Sequence, residues 1–173
     1  SATTTCACDT DPDYPAVLVV ERLLGGSAES RLFLRLRVKD GLSYGVGSFM
    51  SPGQVDDRAS FGFYAIFPPN QLERVQAGFA EEFARALKDG FTDEEVAAAK
   101  QAVLEERRNN RAQDGVIASA LVGQLFLDRT FAESAKIDAA IEKLDTATVN
   151  AALRKYLLPK ELAWAFAGDF AKK

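Results

Sequence analysis

Apolar residues recur in this chain first at helical spacing, then in two strand-like runs, then at helical spacing again up to a last short apolar run. The opening residues around Thr3-Thr4-Thr5 read as a short strand, closed by the turn-rich Asp9-Thr10-Asp11-Pro12-Asp13. A helix is predicted from near Asp13, with Pro15 in its first turn and Val17, Leu18, Val20, Leu23 and Leu24 behind it, stopped by Gly25-Gly26. Ser27-Ala28-Glu29-Ser30 can start a second, shorter helix. In it Leu32, Phe33 and Leu36 recur at helical spacing, and it ends near Val38 because Asp40-Gly41 is a turn signal. Two strands are predicted next, Tyr44 to Met50 and Ser60 to Phe67. Ser51-Pro52-Gly53-Gln54 joins them as a hairpin or a longer antiparallel connection, and Gly45 and Gly47 signal close backbone approach or a bulge.

From Pro68 the period returns to 3.6. Asn70 and Glu73 read as a capping-box variant, and Leu72, Val75, Phe79, Phe83 and Leu87 line one face as far as Asp89-Gly90. Thr92 and Glu95 form a second box, opening a helix that runs through Val96, Val103 and Leu104 toward Arg111. Asp114-Gly115 kinks or breaks it before Val116 to Phe126 resumes. Ile137, Ile141 and Leu144, then Val149, Leu153 and Tyr156, predict two more helices, with Pro159 as a stop and Leu162 to Phe166 as a closing buried strand. Phe79, Phe83, Phe126, Phe166 and Trp164 are expected in the core. The element order argues for an α+β fold, a two-layer sandwich of a mostly antiparallel sheet packed on helices, spanning residues 1–173 as one domain.

Composition narrows the chemistry. With 47% hydrophobic and 27% charged residues over 173 positions, the chain can bury roughly 70% of its unfolded surface. Its net charge of -4 comes from interspersed acids and bases, which disfavours nucleic acid or an anionic membrane as partner. No apolar run approaches the roughly 18 residues of a membrane span. The opening Ser1-Ala2, without Met, suggests a processed or excised piece of a larger parent.

There is no histidine, so a His-based general base, a Ser/His/Asp or Cys/His nucleophile system and a His-ligated zinc are all excluded within the chain. Cys6 and Cys8 read as small reduced strand residues, with a metal half-site, short of companion ligands, as the minor alternative. Gly25-Gly26 follows a helix and lacks the Lys-Ser/Thr of a phosphate loop. Asp56-Asp57 and Glu94-Glu95 fall where turns and helix N-termini already favour acids. Arg31 and Arg35 read as solvated or ion-paired, and Arg107-Arg108-Asn109-Asn110-Arg111 as a solvated helical face.

Tyr14-Pro15-Ala16, Leu24-Gly25-Gly26-Ser27, Ser30-Arg31-Leu32-Phe33 and the run Leu36 to Tyr44 resemble the opening of the C-terminal domain of pitrilysin/insulinase-family zinc peptidases. The resemblance continues through Gly90-Phe91-Thr92-Asp93-Glu94-Glu95-Val96 and Ala99-Lys100 to Ala167-Gly168-Asp169, which is nearly the whole chain. It implies one domain of a clamshell that encloses peptide substrate. The zinc, held by an inverted His-x-x-Glu-His helix with a distal Glu, would lie on a partner domain or subunit. This chain lacks that motif, so it is expected to hold no metal or cofactor and to be inactive alone.

Arg37 and Tyr44 stand seven residues apart across the Asp40-Gly41 turn, at the end of the second helix and the start of a strand. Their ordinary roles would be a helix-end cation and a half-buried strand aromatic. The resemblance implies instead a pair reaching across the chamber toward the zinc, contacting substrate or transition state. It also leaves open a catalytically silent scaffold or a peptide-binding subunit of the same fold.

Overall fold

The computed structural model describes residues 2–5, 9–52 and 59–169. Among these, strands β1 (Ala2–Thr5), β2 (Gly45–Ser51), β3 (Ser60–Ile66) and β4 (Ala163–Trp164) form one sheet in the order β2-β3-β1-β4, with every pairing antiparallel. The helices are α1 (Tyr14–Leu24), α2 (Arg31–Phe33, running on as the π-helical segment Leu34–Lys39), α3 (Leu72–Asp89), α4 (Asp93–Asn110), α5 (Asp114–Phe126), α6 (Phe131–Lys143) and α7 (Thr146–Tyr156). Antiparallel sheet against helices is the α+β arrangement that the element order predicts.

Strand register decides what is buried. Val46↔Ala65, Ser48↔Phe63 and Met50↔Phe61 turn Val46, Phe63 and Phe61 into the core, while the alternate positions Phe49, Tyr64 and Ile66 are exposed. The Phe63 ring meets Phe79 edge-on at 5.2 Å and Phe83 at 5.8 Å, and Phe79 and Phe83 stack at 5.4 Å, so α3 packs on β3 through aromatic contacts. Helix α1 is apolar nearly all round, burying Ala16, Val17, Val19, Val20, Leu23 and Leu24. The Gly47 signal has a physical cause: a Cβ there would lie 2.6 Å from the Tyr64 ring of the paired strand, whereas one at Gly45 would meet open space.

The Thr92 box forms in full, with Thr92 Oγ1 accepting from Glu95 N and Glu95 Oε2 accepting from Thr92 N. The Asn70 box does not. Pro69–Gln71 makes a 3-10 turn, α3 starts one residue later, and no side chain caps it. The second helix begins at Arg31 with its N-cap at Ser30, within the predicted start segment, and Ser30 Oγ donates to Ser27 O at 2.6 Å instead of capping the helix.

The closing strand is two residues long and exposed, not buried, since β4 pairs only with the edge of β1. Trp164 and Phe166 therefore lie partly exposed, Trp164 meeting Phe79 edge-on and stacking on Phe166, and Phe126 is exposed on α5. Arg107 is not part of a solvated face. Its Nε donates to Asp138 and its Nη2 to Ser134, and Arg111 joins Asp138 at 2.8 Å. Cys6, Cys8, Asp56, Asp57 and the Gly53-Gln54 turn lie outside the described residues.

Candidate functional site

The site is built where α2 ends and β2 begins. The wide π turns of Leu34–Lys39 close with Asp40 N donating to Arg35 O at 3.1 Å. Gly41, at φ +62°, then reverses the chain. Leu42 N reaches back to Leu36 O at 2.9 Å, one residue wider than a Schellman bond and in keeping with the π turn, and the Leu42 side chain is buried. Tyr44 N donates to Ile66 O at 2.7 Å, which ties the start of β2 to the end of β3.

Within this frame Arg37 Nη1 donates to the carbonyls of Ser43, at 3.2 Å, and of Tyr44. The guanidinium carbon lies 5.8 Å from the centre of the Phe33 ring, one helical turn earlier. The structure thus brings the two predicted residues together through the backbone, and leaves the Tyr44 side chain 70% exposed.

Three arginines lie on this helix and its π segment, and their fates differ. Arg31 is held by Glu95 through two bonds of 2.9 and 2.8 Å, donates to Gly90 O at 2.8 Å and covers the Phe91 ring at 4.8 Å. Arg35 pairs with Asp40 at 3.3 Å and with Glu81 at 2.6 Å. Arg37 has no carboxylate partner among the described residues and is exposed. Burial raises the Glu95 carboxyl, but the Arg31 guanidinium and the Thr92 N–H outweigh it and hold the group below the usual carboxylate range.

The Phe33 ring beneath Arg37 and the π-helical widening were not read as site features in the sequence. Phe33 fits equally well as a core position, and no residue type signals a π turn. No group of three His, Cys, Asp or Glu side chains able to hold a metal occurs among the described residues. With no histidine in the chain and no cysteine among the described residues, the donors described do not fit zinc.

Residues 2–103 match the family described as peptidase M16 inactive domain. This chain belongs to that family. The M16 inactive domain is 37% identical over 90 residues to an uncharacterized zinc protease of Streptomyces coelicolor, covering 52% of this chain and 19% of that one. An uncharacterized zinc protease of Bacillus subtilis is 33% identical over 85 residues, covering 49% and 20%. The crystal structure of a peptidase M16 inactive domain from Pseudomonas fluorescens superposes with a TM-score of 0.81 at 26% identity, over 93% of this chain and 38% of that chain. The M16 inactive domain therefore spans about a fifth of the length of the curated relatives it matches. An inactive domain of this family implies an active partner domain.

Proposed function

We propose that this domain is the substrate-binding, non-zinc part of a zinc metalloendopeptidase assembly, and that it supplies Arg37 and Tyr44 to a zinc site on another domain or subunit. The observation that carries the reading is the unpaired charge. Of the three arginines on α2 and its π segment, Arg37 alone lacks an acid among the described residues, and it is bonded to the backbone of the exposed tyrosine.

Peptide hydrolysis by such an assembly needs zinc on the partner to activate water and polarise the scissile carbonyl. The tetrahedral oxyanion then needs hydrogen-bond donors beyond the metal. A phenol hydroxyl and a guanidinium are suitable donors at neutral pH, and the planar guanidinium can hold peptide carbonyls through several N–H groups in fixed geometry. Anchoring of Arg37 Nη1 on Ser43 and Tyr44 carbonyls orients the group before substrate arrives.

The test is cleavage of a quenched fluorescent peptide library by the full parent assembly, with chelator controls. Arg37→Ala and Tyr44→Phe are each expected to lower turnover on the order of 100-fold. If an intact, chelator-sensitive assembly cleaves as well with either substitution, the role assigned to the pair is wrong. If the assembly cuts nothing, the silent scaffold or peptide-binding reading takes over.

A further inference from the structure

Helix α5 is turned the wrong way round for a domain that stands alone. From Gly115 to Leu127 it carries no charge, and none of its residues is buried. The side facing the domain holds Ile117, Ala120, Gly123 and Gln124, with one large apolar residue among them, and the Gln124 Oε1 is buried without a hydrogen-bond partner among the described residues. The outward side holds Ala118, Leu121, Val122, Leu125 and Phe126 at i, i+3, i+4, i+7 and i+8, the spacing of a core-facing stripe. Val122 is 70%, Leu125 83% and Phe126 78% exposed. A surface helix ordinarily shows the reverse, so the apolar side is built to be covered.

We infer that the outward stripe of α5, Ala118 to Phe126, is the seat on which the zinc-bearing domain of the assembly docks. Area decides between that occupant and a second copy of this chain. A 13-residue helix is about 20 Å long, so one side of it offers a few hundred Å². Each partner in a stable free dimer contributes about 800 Å², so the stripe alone would not hold two copies together. A domain of the same assembly can contribute further contacts elsewhere, and where the two are tethered the effective concentration rises to about the millimolar range.

The family's division into inactive and active domains supplies such a partner, and the 38% share of the Pseudomonas fluorescens chain that this domain covers leaves room for it in that relative. The partner surface must itself be apolar and uncharged, because the stripe has no charge to complement. The inference rests on the assembly proposed above but not on the chemistry assigned to Arg37 and Tyr44.

The experiment coexpresses this chain with the zinc-motif-bearing chain of its assembly and measures affinity by titration calorimetry, with light scattering on this chain alone. Val122→Glu and Leu125→Glu alter exposed positions and are expected to preserve the circular dichroism spectrum while weakening the complex about 30-fold or more. Phe49→Ser, on the exposed face of β2, is expected to leave affinity within about 3-fold. Peptide cleavage by the Arg37→Ala complex is read separately from affinity, which separates loss of docking from loss of chemistry. No complex with the wild-type chain, equal affinity for wild type and both glutamate variants, or a dimer of this chain that the glutamate variants dissolve would each overturn the inference.

Discussion

At the scale of single residues, Arg31 and Arg37 are the same side chain six positions apart with different work. Arg31 joins α2 to the α3–α4 junction through Glu95 and Gly90 O, with most of its side chain shielded from water. Truncating it strands part of Glu95's charge, and Arg31→Ala is expected to cost about 2 kcal/mol in urea unfolding. Arg37→Ala should cost less, about 1 kcal/mol, because no buried charge is stranded and its bond to Tyr44 O is exposed, though the bond to Ser43 O is part-buried. Equal costs would mean that Arg37 is structural.

Glu21 supplies a pH signature. Burial pushes its carboxyl above the ordinary range, the nearby Glu106 adds to this, and the Ser48 hydroxyl at 2.6 Å opposes it. A raised folded pKa means that the folded state binds the proton more tightly than the unfolded chain. This group therefore costs stability progressively as pH rises from the ordinary carboxylate range through its folded value. Glu21→Gln should then be more stable than wild type at pH 7, with the difference shrinking as pH falls toward 4. Asp13 and Glu95 have lowered values and act in the opposite direction, so the measurement is the wild-type minus variant difference across pH. A constant difference would show that burial does not govern Glu21.

At the scale of elements, the α3–α4 turn places the helix to which Arg31 is fastened. Gly90 sits at φ +75°, and a Cβ there would meet the Asn150 amide at 2.7 Å. That amide accepts from Phe91 N at 2.7 Å and donates to Phe91 O at 3.0 Å, locking α7 onto the turn. Gly90→Ala combines left-handed strain with displacement of this clamp, and is expected to cost about 2 kcal/mol or more in chemical unfolding. Unchanged stability would show that the turn relaxes without loss.

Elements were legible in the sequence wherever a local signal sufficed. The Thr92-Glu95 box, the Gly25 and Gly41 stops and the 3.6 period of α3 involve neighbours within a turn or two. Asn70 failed as a cap because the Pro68-Pro69 pair imposed a 3-10 turn first. Phe126 and Phe166 were misplaced because hydrophobicity marks what prefers burial, not whether a neighbour is there to bury it.

At the scale of the whole molecule, the domain has a core but, among the described residues, no metal donor set. Metal analysis after dialysis is expected to find no equimolar zinc in this chain alone, and one tightly held zinc per chain would overturn its place as the non-zinc partner. Catalysis would then belong to the assembly, with this domain providing exposed groups on a rigid frame.

The sequence by itself determined the order of elements, the α+β class and the lack of a histidine site. All of these rest on residue type and short spacing, whereas the joint role of Arg37 and Tyr44 came from the family resemblance. Tertiary structure decided which arginine of this helix lacks an acid among the described residues, since Arg31 meets one 64 positions away and Arg35, besides its neighbour Asp40, one 46 away. It also decided which side of α5 faces outward, because burial depends on what packs against a helix and its own period cannot specify that.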